Sequence, residues 1–123
     1  MASLIVASGV GIGNYYPLGH RTNVIGRDEA VPIQITDQHV SRKHLQIRYD
    51  KAKDQYLALD MKSRHGVFIN GKRIQQEMPL ADEDKIGLGD VTLLFTKQDF
   101  TDRASALAYH KKVGERAQGT LLE

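Results

Sequence analysis

The sequence predicts an all-β domain, a sandwich or a barrel, on three observations. Apolar and polar residues alternate over short segments, as in Leu45-Gln46-Ile47-Arg48-Tyr49. Turn-forming pairs such as Asn70-Gly71 and Gly89-Asp90 separate those segments. The spacing is close throughout, so roughly eight or more strands fit the chain.

Taken in order, Leu4 to Ser8 opens on the apolar run Leu4-Ile5-Val6-Ala7. That run is too short for a membrane span or a signal-peptide core and lacks a basic flank, so it reads as a strand. Gly9-x-Gly11-x-Gly13 follows, but a dinucleotide fingerprint needs a further spacing and a helix start. Tyr15-Tyr16-Pro17 stands where that helix should begin, and the tyrosines read as a loop or edge packing pair. Strands are expected at Asn23 to Gly26 and Val31 to Ile35. After Leu45 to Tyr49, the polar run Asp50 to Asp54 makes a turn, and Gln55 to Leu59 resumes with Leu57 and Leu59 on one face. Val67-Phe68-Ile69 and Lys72-Arg73-Ile74 flank Asn70-Gly71, a hairpin signal because both turn residues tolerate the positive φ of a type I′ turn. Lys85 to Leu88 and Val91 to Phe95 flank Gly89-Asp90 in the same manner.

The C-terminal stretch changes period. Phe100, Ala104, Leu107 and Ala108 recur at helical spacing, Asp102 is placed to cap the start and Gly114 the end. Lys111 and Lys112 sit where they favour the negative end of the helix dipole. The expected organisation is a β domain over 1–98, then a helix and linker or tail over 99–123, with Leu122-Glu123 read as an expression scar.

At 123 residues one domain can bury a core without staples. An apolar fraction of 41% fits a globular chain and not a disordered one. Net charge is only +2, so any anion binding must come from local arrangement. The absence of cysteine excludes disulfides and thiol-based zinc sites or nucleophiles, and suits a cytoplasmic protein.

The chemistry gathers at Ser41-Arg42-Lys43-His44, a hydroxyl, two cations and an imidazole in succession. A Ser41/His44 nucleophile pair lacks an orienting third group and a recognisable nucleophile turn. The five histidines never fall at metal-ligand spacing, so no metal or other cofactor is expected. A nucleic-acid patch would bring stronger net charge and interleaved aromatics. An anion socket is the fourth reading, and the nucleic-acid patch stays open beside it. Lys43, His20 and His110 read as exposed bystanders.

Two further clusters complete a pattern: Gly26-Arg27, and Ser63-Arg64-His65-Gly66 running into Val67-Phe68-Ile69-Asn70-Gly71. With Ser41 to His44, Asp60 and Ile86-x-Leu88-Gly89-Asp90, their order and spacing resemble the forkhead-associated (FHA) domain over about residues 4 to 96. The resemblance implies an FHA-like β-sandwich of two twisted sheets with about eleven strands, whose loops at one end bind phosphothreonine peptides. It implies that Arg27 grips two phosphate oxygens with its planar fork, which a lysine would not match. Ser41 would donate its hydroxyl, and Arg42, Ser63 and Arg64 would approach the phosphate as well. His44 would hold the loop beneath Ser41. Gly26 would turn the backbone so that Arg27 faces the ligand, Gly66 would do likewise for its loop, and Asn70-Gly71 would form a hairpin turn near the site.

One departure stands out. The family's asparagine, which grips the peptide main chain, is here His65. A neutral imidazole keeps one donor and one acceptor in a bulkier ring, and a protonated one adds charge near pH 6. His39 would read the third residue after the phosphothreonine, with a selectivity unlike that of domains with arginine there. The expected function is a non-enzymatic, monomeric, cytoplasmic module that binds a phosphothreonine-containing protein or its own parent chain, with no membrane contact. The alternatives are a phosphate-independent interaction domain of the same fold, or a nucleic-acid binder. Thr96-Lys97-Gln98-Asp99 has a ligand-like Thr-x-x-Asp form, which suggests self-docking after phosphorylation.

Overall fold

The computed structural model describes residues 2–98 and, further on, 105, 106, 108, 109 and 111–113. Among them are eleven strands in two sheets, the expected sandwich. The six-stranded sheet runs β2 (Tyr15–Pro17), β1 (Ser3–Ser8), β11 (Val91–Thr96), β10 (Lys85–Leu88), β7 (Phe68–Ile69), β8 (Lys72–Arg73). The five-stranded sheet runs β4 (Ile33–Gln34), β3 (Asn23–Gly26), β5 (Leu45–Asp50), β6 (Gln55–Asp60), β9 (Met78–Pro79). Neighbours are antiparallel except β3 and β4, where Ile25 faces Ile33.

Alternation and turn signals locate the long strands and the edges β4 and β8, but not the edges β2 and β9. β2 and β9 are too brief to show a period, and each ends on a proline, which an edge strand tolerates because its outer N–H has no ladder partner to lose. The expected strand Val31 to Ile35 shrinks to Ile33–Gln34 because Val31 N–H donates to the Asp28 carbonyl and closes a turn instead. Tyr15 and Tyr16 pack against different apolar clusters, one on each side of their sheet.

Leu4, Val6, Ile25, Leu45, Ile47, Ile86, Leu88, Leu93 and Phe95 fill the space between the sheets. On β6 the core residues are Tyr56 and Ala58, while Leu57 and Leu59 occupy the opposite face. Cross-strand pairing sets this. Ile47 lies opposite Ala58 and Tyr49 opposite Tyr56, and paired residues share a face. Once β5 turns Leu45 and Ile47 inward, β6 has no choice.

Ser105, Ala106, Ala108, Tyr109 and 111–113 are helical, whereas the expected cap Asp102 and terminator Gly114 lie outside the described residues. Ala106 is fully buried and packs with Ile5 and Leu94 on the outer face of the six-stranded sheet, joined by Ala7, Tyr15, Tyr109 and Val113. A boundary at residue 98 therefore cuts between elements that share an apolar cluster. Truncation after Gln98 is expected to expose Ile5 and Leu94 and to lower the melting temperature by roughly 10 °C, measured by circular dichroism. Thr96 is fully buried opposite Ser3, and its hydroxyl oxygen accepts from Gln98 N–H. A kinase has no access to it, which overturns self-docking through Thr96. Among the described residues no helix is long and apolar enough to cross a membrane.

Candidate functional site

Sheet register brings the three sequence clusters to one end. Leu45, the first residue of β5, pairs with Ile25 near the end of β3 and with Asp60 at the end of β6. Arg27 just past β3, Ser41 to His44 just before β5, and Ser63 to Gly66 just after β6 therefore emerge side by side. Arg27, Gln38, His39, Val40, Ser41, Arg64 and His65 line one cavity of about 340 Å³.

Arg27 is clamped from below. Its N–H donates to the Ser41 carbonyl and its Nε to the Val40 carbonyl, both at 3.0 Å, while the guanidinium borders the cavity. Ser41 Oγ accepts from Arg64 N–H at 3.0 Å, which orients the hydroxyl and leaves its own proton to donate. Gly26 serves differently from expectation. Its φ is not among the positive values, and a Cβ there would stand 2.0 Å from the Arg42 carbonyl oxygen. The glycine permits close approach of two backbones, and no unusual turn is involved.

Arg42 borders a separate depression with Arg27 and Asp28, not the main cavity. Ser63 is not among the cavity-lining residues either. Its N–H donates to Asp60 Oδ1 and its Oγ accepts from Gly66 N–H, both at 2.9 Å, so its visible work is to shape the loop that carries Arg64 and His65. Gly66 has φ +85°, a region that side chains rarely adopt, and a Cβ would meet Arg73 Nε at 2.7 Å. Sequence reasoning passed over Arg73. Asn70 and Gly71 have φ of 51° and 84°, as the type I′ turn requires, at the far end of the β7–β8 hairpin from Gly66. Asn70 Nδ2 donates to Asp84 Oδ1 and its Oδ1 accepts from Lys85 N–H, which ties the hairpin to β10.

His44 joins the loops. It is fully buried, its Nδ1 accepts from Ser41 N–H at 3.0 Å, and its Nε2–H donates to the Gly66 carbonyl at 2.7 Å. These partners fix one neutral tautomer, because a protonated ring would turn a second donor toward Ser41 N–H. Burial pushes the imidazole below its ordinary pKa. The unfolded chain then binds the extra proton more readily than the folded one, so stability is complete above about pH 6.5 and declines as pH falls below it. Urea denaturation at pH 7.5 and 5.5 should show that loss, and a His44→Gln variant should show less of it.

His39 and His65 meet edge to face, ring centroids 5.4 Å apart. His39 Nδ1 lies 2.6 Å from Asp90 Oδ2, on the β10–β11 turn. Gly89 in that turn abuts the His39 backbone, where a Cβ would come within 2.9 Å of its carbonyl carbon. The sequence shows Gly89-Asp90 as a turn and as part of the family pattern, but not its contact with His39. Lys43 is exposed, and so is His20, although His20 stacks on Tyr49 at 4.2 Å instead of standing idle. His110 lies outside the described residues.

The fold and the cavity define a recognition domain of the β-sandwich class, with a rigid scaffold presenting donor groups on loops. The chain belongs to the FHA domain family, whose model matches residues 23–89. It is 39% identical over 79 residues to the FHA domain-containing protein FhaA of Mycobacterium tuberculosis, covering 64% of this chain and 14% of that one. It is 31% identical over 94 residues to the oxoglutarate dehydrogenase inhibitor of Corynebacterium jeikeium, covering 76% and 63% respectively. A solved structure from work on phosphothreonine-dependent FHA domain interactions superposes with a TM-score of 0.71 and 32% identity, over 80% of this chain and 98% of that one. The chain thus spans less than two thirds of the length of either curated relative.

Proposed function

We propose that this domain binds phosphothreonine-containing segments of a partner protein, or of its own parent chain, without catalysing a reaction. The observation that carries the reading is the single cavity lined by Arg27, Ser41, Arg64, His65 and His39, residues from three separate stretches of sequence. A phosphothreonine brings about −1.5 to −2 charges and three acceptor oxygens. Two guanidinium groups and a pre-oriented hydroxyl supply donors of matching number and sign. Arg42 then acts at the cavity's flank, and Ser63, Gly66 and His44 act through the loops they hold. The solved relative that concerns phosphothreonine-dependent interactions supports the same ligand class. We assign the cytoplasm, where kinases make this ligand, and a monomeric state.

Calorimetric titration of matched peptides bearing threonine, phosphothreonine or phosphoserine tests the reading. The expected result is micromolar affinity, about −8 kcal/mol, for the phosphothreonine form alone. Equal affinity for unmodified threonine would replace it with a phosphate-independent interaction domain.

A further inference from the structure

Resting on the phosphopeptide reading, we infer that Asp90 is a positioning residue: it fixes the His39 imidazole as a hydrogen-bond acceptor. The cavity then selects phosphothreonine peptides with a cationic donor side chain, lysine or arginine, at the position that meets His39. An ionised carboxylate only accepts, so the 2.6 Å contact places the proton of His39 on Nδ1. In the neutral ring Nε2 is left with its lone pair. Of the cavity's other side chains, Arg27, Arg64 and Ser41 are donors suited to phosphate, while Gln38 and His65 can each donate or accept. His39 gives the same cavity an acceptor.

The ring is held from several sides. His39 N–H donates to Asp37 Oδ1 at 2.7 Å, Gly89 lies so close that a Cβ there would reach 2.9 Å from the His39 carbonyl carbon, and His65 meets the ring at 89°. Charge works in the same direction as the lone pair. Asp37 Oδ1 lies 3.9 Å from His39 Nδ1, and the Asp90 side chain is 71% exposed. Two carboxylates beside the imidazole oppose an acidic peptide side chain and attract a basic one.

The test is a set of phosphothreonine peptides with Lys, Arg, Glu, Asp or Ala placed singly at each flanking position, titrated at pH 8. Ligand atoms of Asp37, His39 and Asp90 lie within 4.8 Å of one another, so EDTA is included to keep a cation from deciding the result. At one position the wild type should prefer Lys or Arg over Glu or Asp by at least about fivefold. Asp90→Asn, whose amide can serve either tautomer, should reduce that ratio below about twofold. Asp90→Glu should restore the preference. Nitrogen-15 spectra of labelled histidine should show the Nδ1–H tautomer for His39 in the wild type and its loss in Asp90→Asn. An unchanged ratio in Asp90→Asn, or an Nε2–H tautomer in the wild type, overturns the inference. Absence of phosphothreonine-dependent binding across the whole set would instead overturn the functional reading.

Discussion

Arg27→Ala is expected to abolish phosphopeptide binding while leaving a folded domain. Charge-assisted hydrogen bonds contribute roughly 1.5–3 kcal/mol each, and a bidentate grip makes two of them, so affinity should fall by at least about 100-fold. From a micromolar start that leaves no measurable heat. Stability should change little, because the fold loses only the Nε bond to the Val40 carbonyl, about 1 kcal/mol. Arg27→Lys separates charge from geometry. It keeps the cation but loses both the fork and the anchoring Nε, so most of the loss should persist. Titration with matched peptides and thermal melts, run together, read both quantities. Binding within tenfold of wild type in Arg27→Ala would remove this guanidinium from the site.

Gly26→Ala should cost a large share of the domain's stability. The new Cβ would sit 2.0 Å from the Arg42 carbonyl oxygen, 2.7 Å from its carbonyl carbon and 3.0 Å from the Ser41 oxygen. All three are main-chain atoms, which cannot swing aside like the tip of a side chain. They are also tied down. Arg27 N–H bonds the Ser41 carbonyl, Asp28 N–H the Arg42 carbonyl and Ile35 N–H the Gly26 carbonyl. Overpacking of a core usually costs about 1–3 kcal/mol, and here the cost should reach or exceed that upper value. A fall of the melting temperature by roughly 12 °C or more follows for a domain of this size. Gly71→Ala is the matched contrast: φ is +84° but nothing lies within 4 Å of the added methyl. It should pay for backbone strain alone, about 1 kcal/mol. If Gly26→Ala melts within about 2 °C of wild type, the close approach of the two backbones is not there.

Much of this molecule was readable from local chemistry. The alternation of Leu45 to Tyr49, the positive-φ turn at Asn70-Gly71 and the run Val91 to Phe95 each declare themselves within a few residues. The ordered set Gly26-Arg27, Ser41 to His44 and Ser63 to Gly66 likewise carries the resemblance to the family along the chain. His44 was legible as a support, and its two ring bonds to Ser41 and Gly66 fit that role.

Other features were out of reach along the chain. Leu57 and Leu59 are the more apolar choice for a core face, yet Tyr56 and Ala58 face the core, because β5 opposite sets which side of β6 turns inward. Arg42 and Arg64 look alike as loop cations, but only Arg64 borders the main cavity with Arg27. Asp90 meets His39 from 51 positions away, and no pattern in either neighbourhood announces the contact.

Turn chemistry and side-chain period act over a handful of bonds, so strand positions, hairpin positions and the kinds of group available to an anion were written in the amino acids themselves. Which guanidinium faces the cavity, which face of β6 is buried and which carboxylate holds His39 depend on cross-strand register and on how loops from distant segments stack. Those are set only when the two sheets close on a common core and bring remote backbones within van der Waals contact.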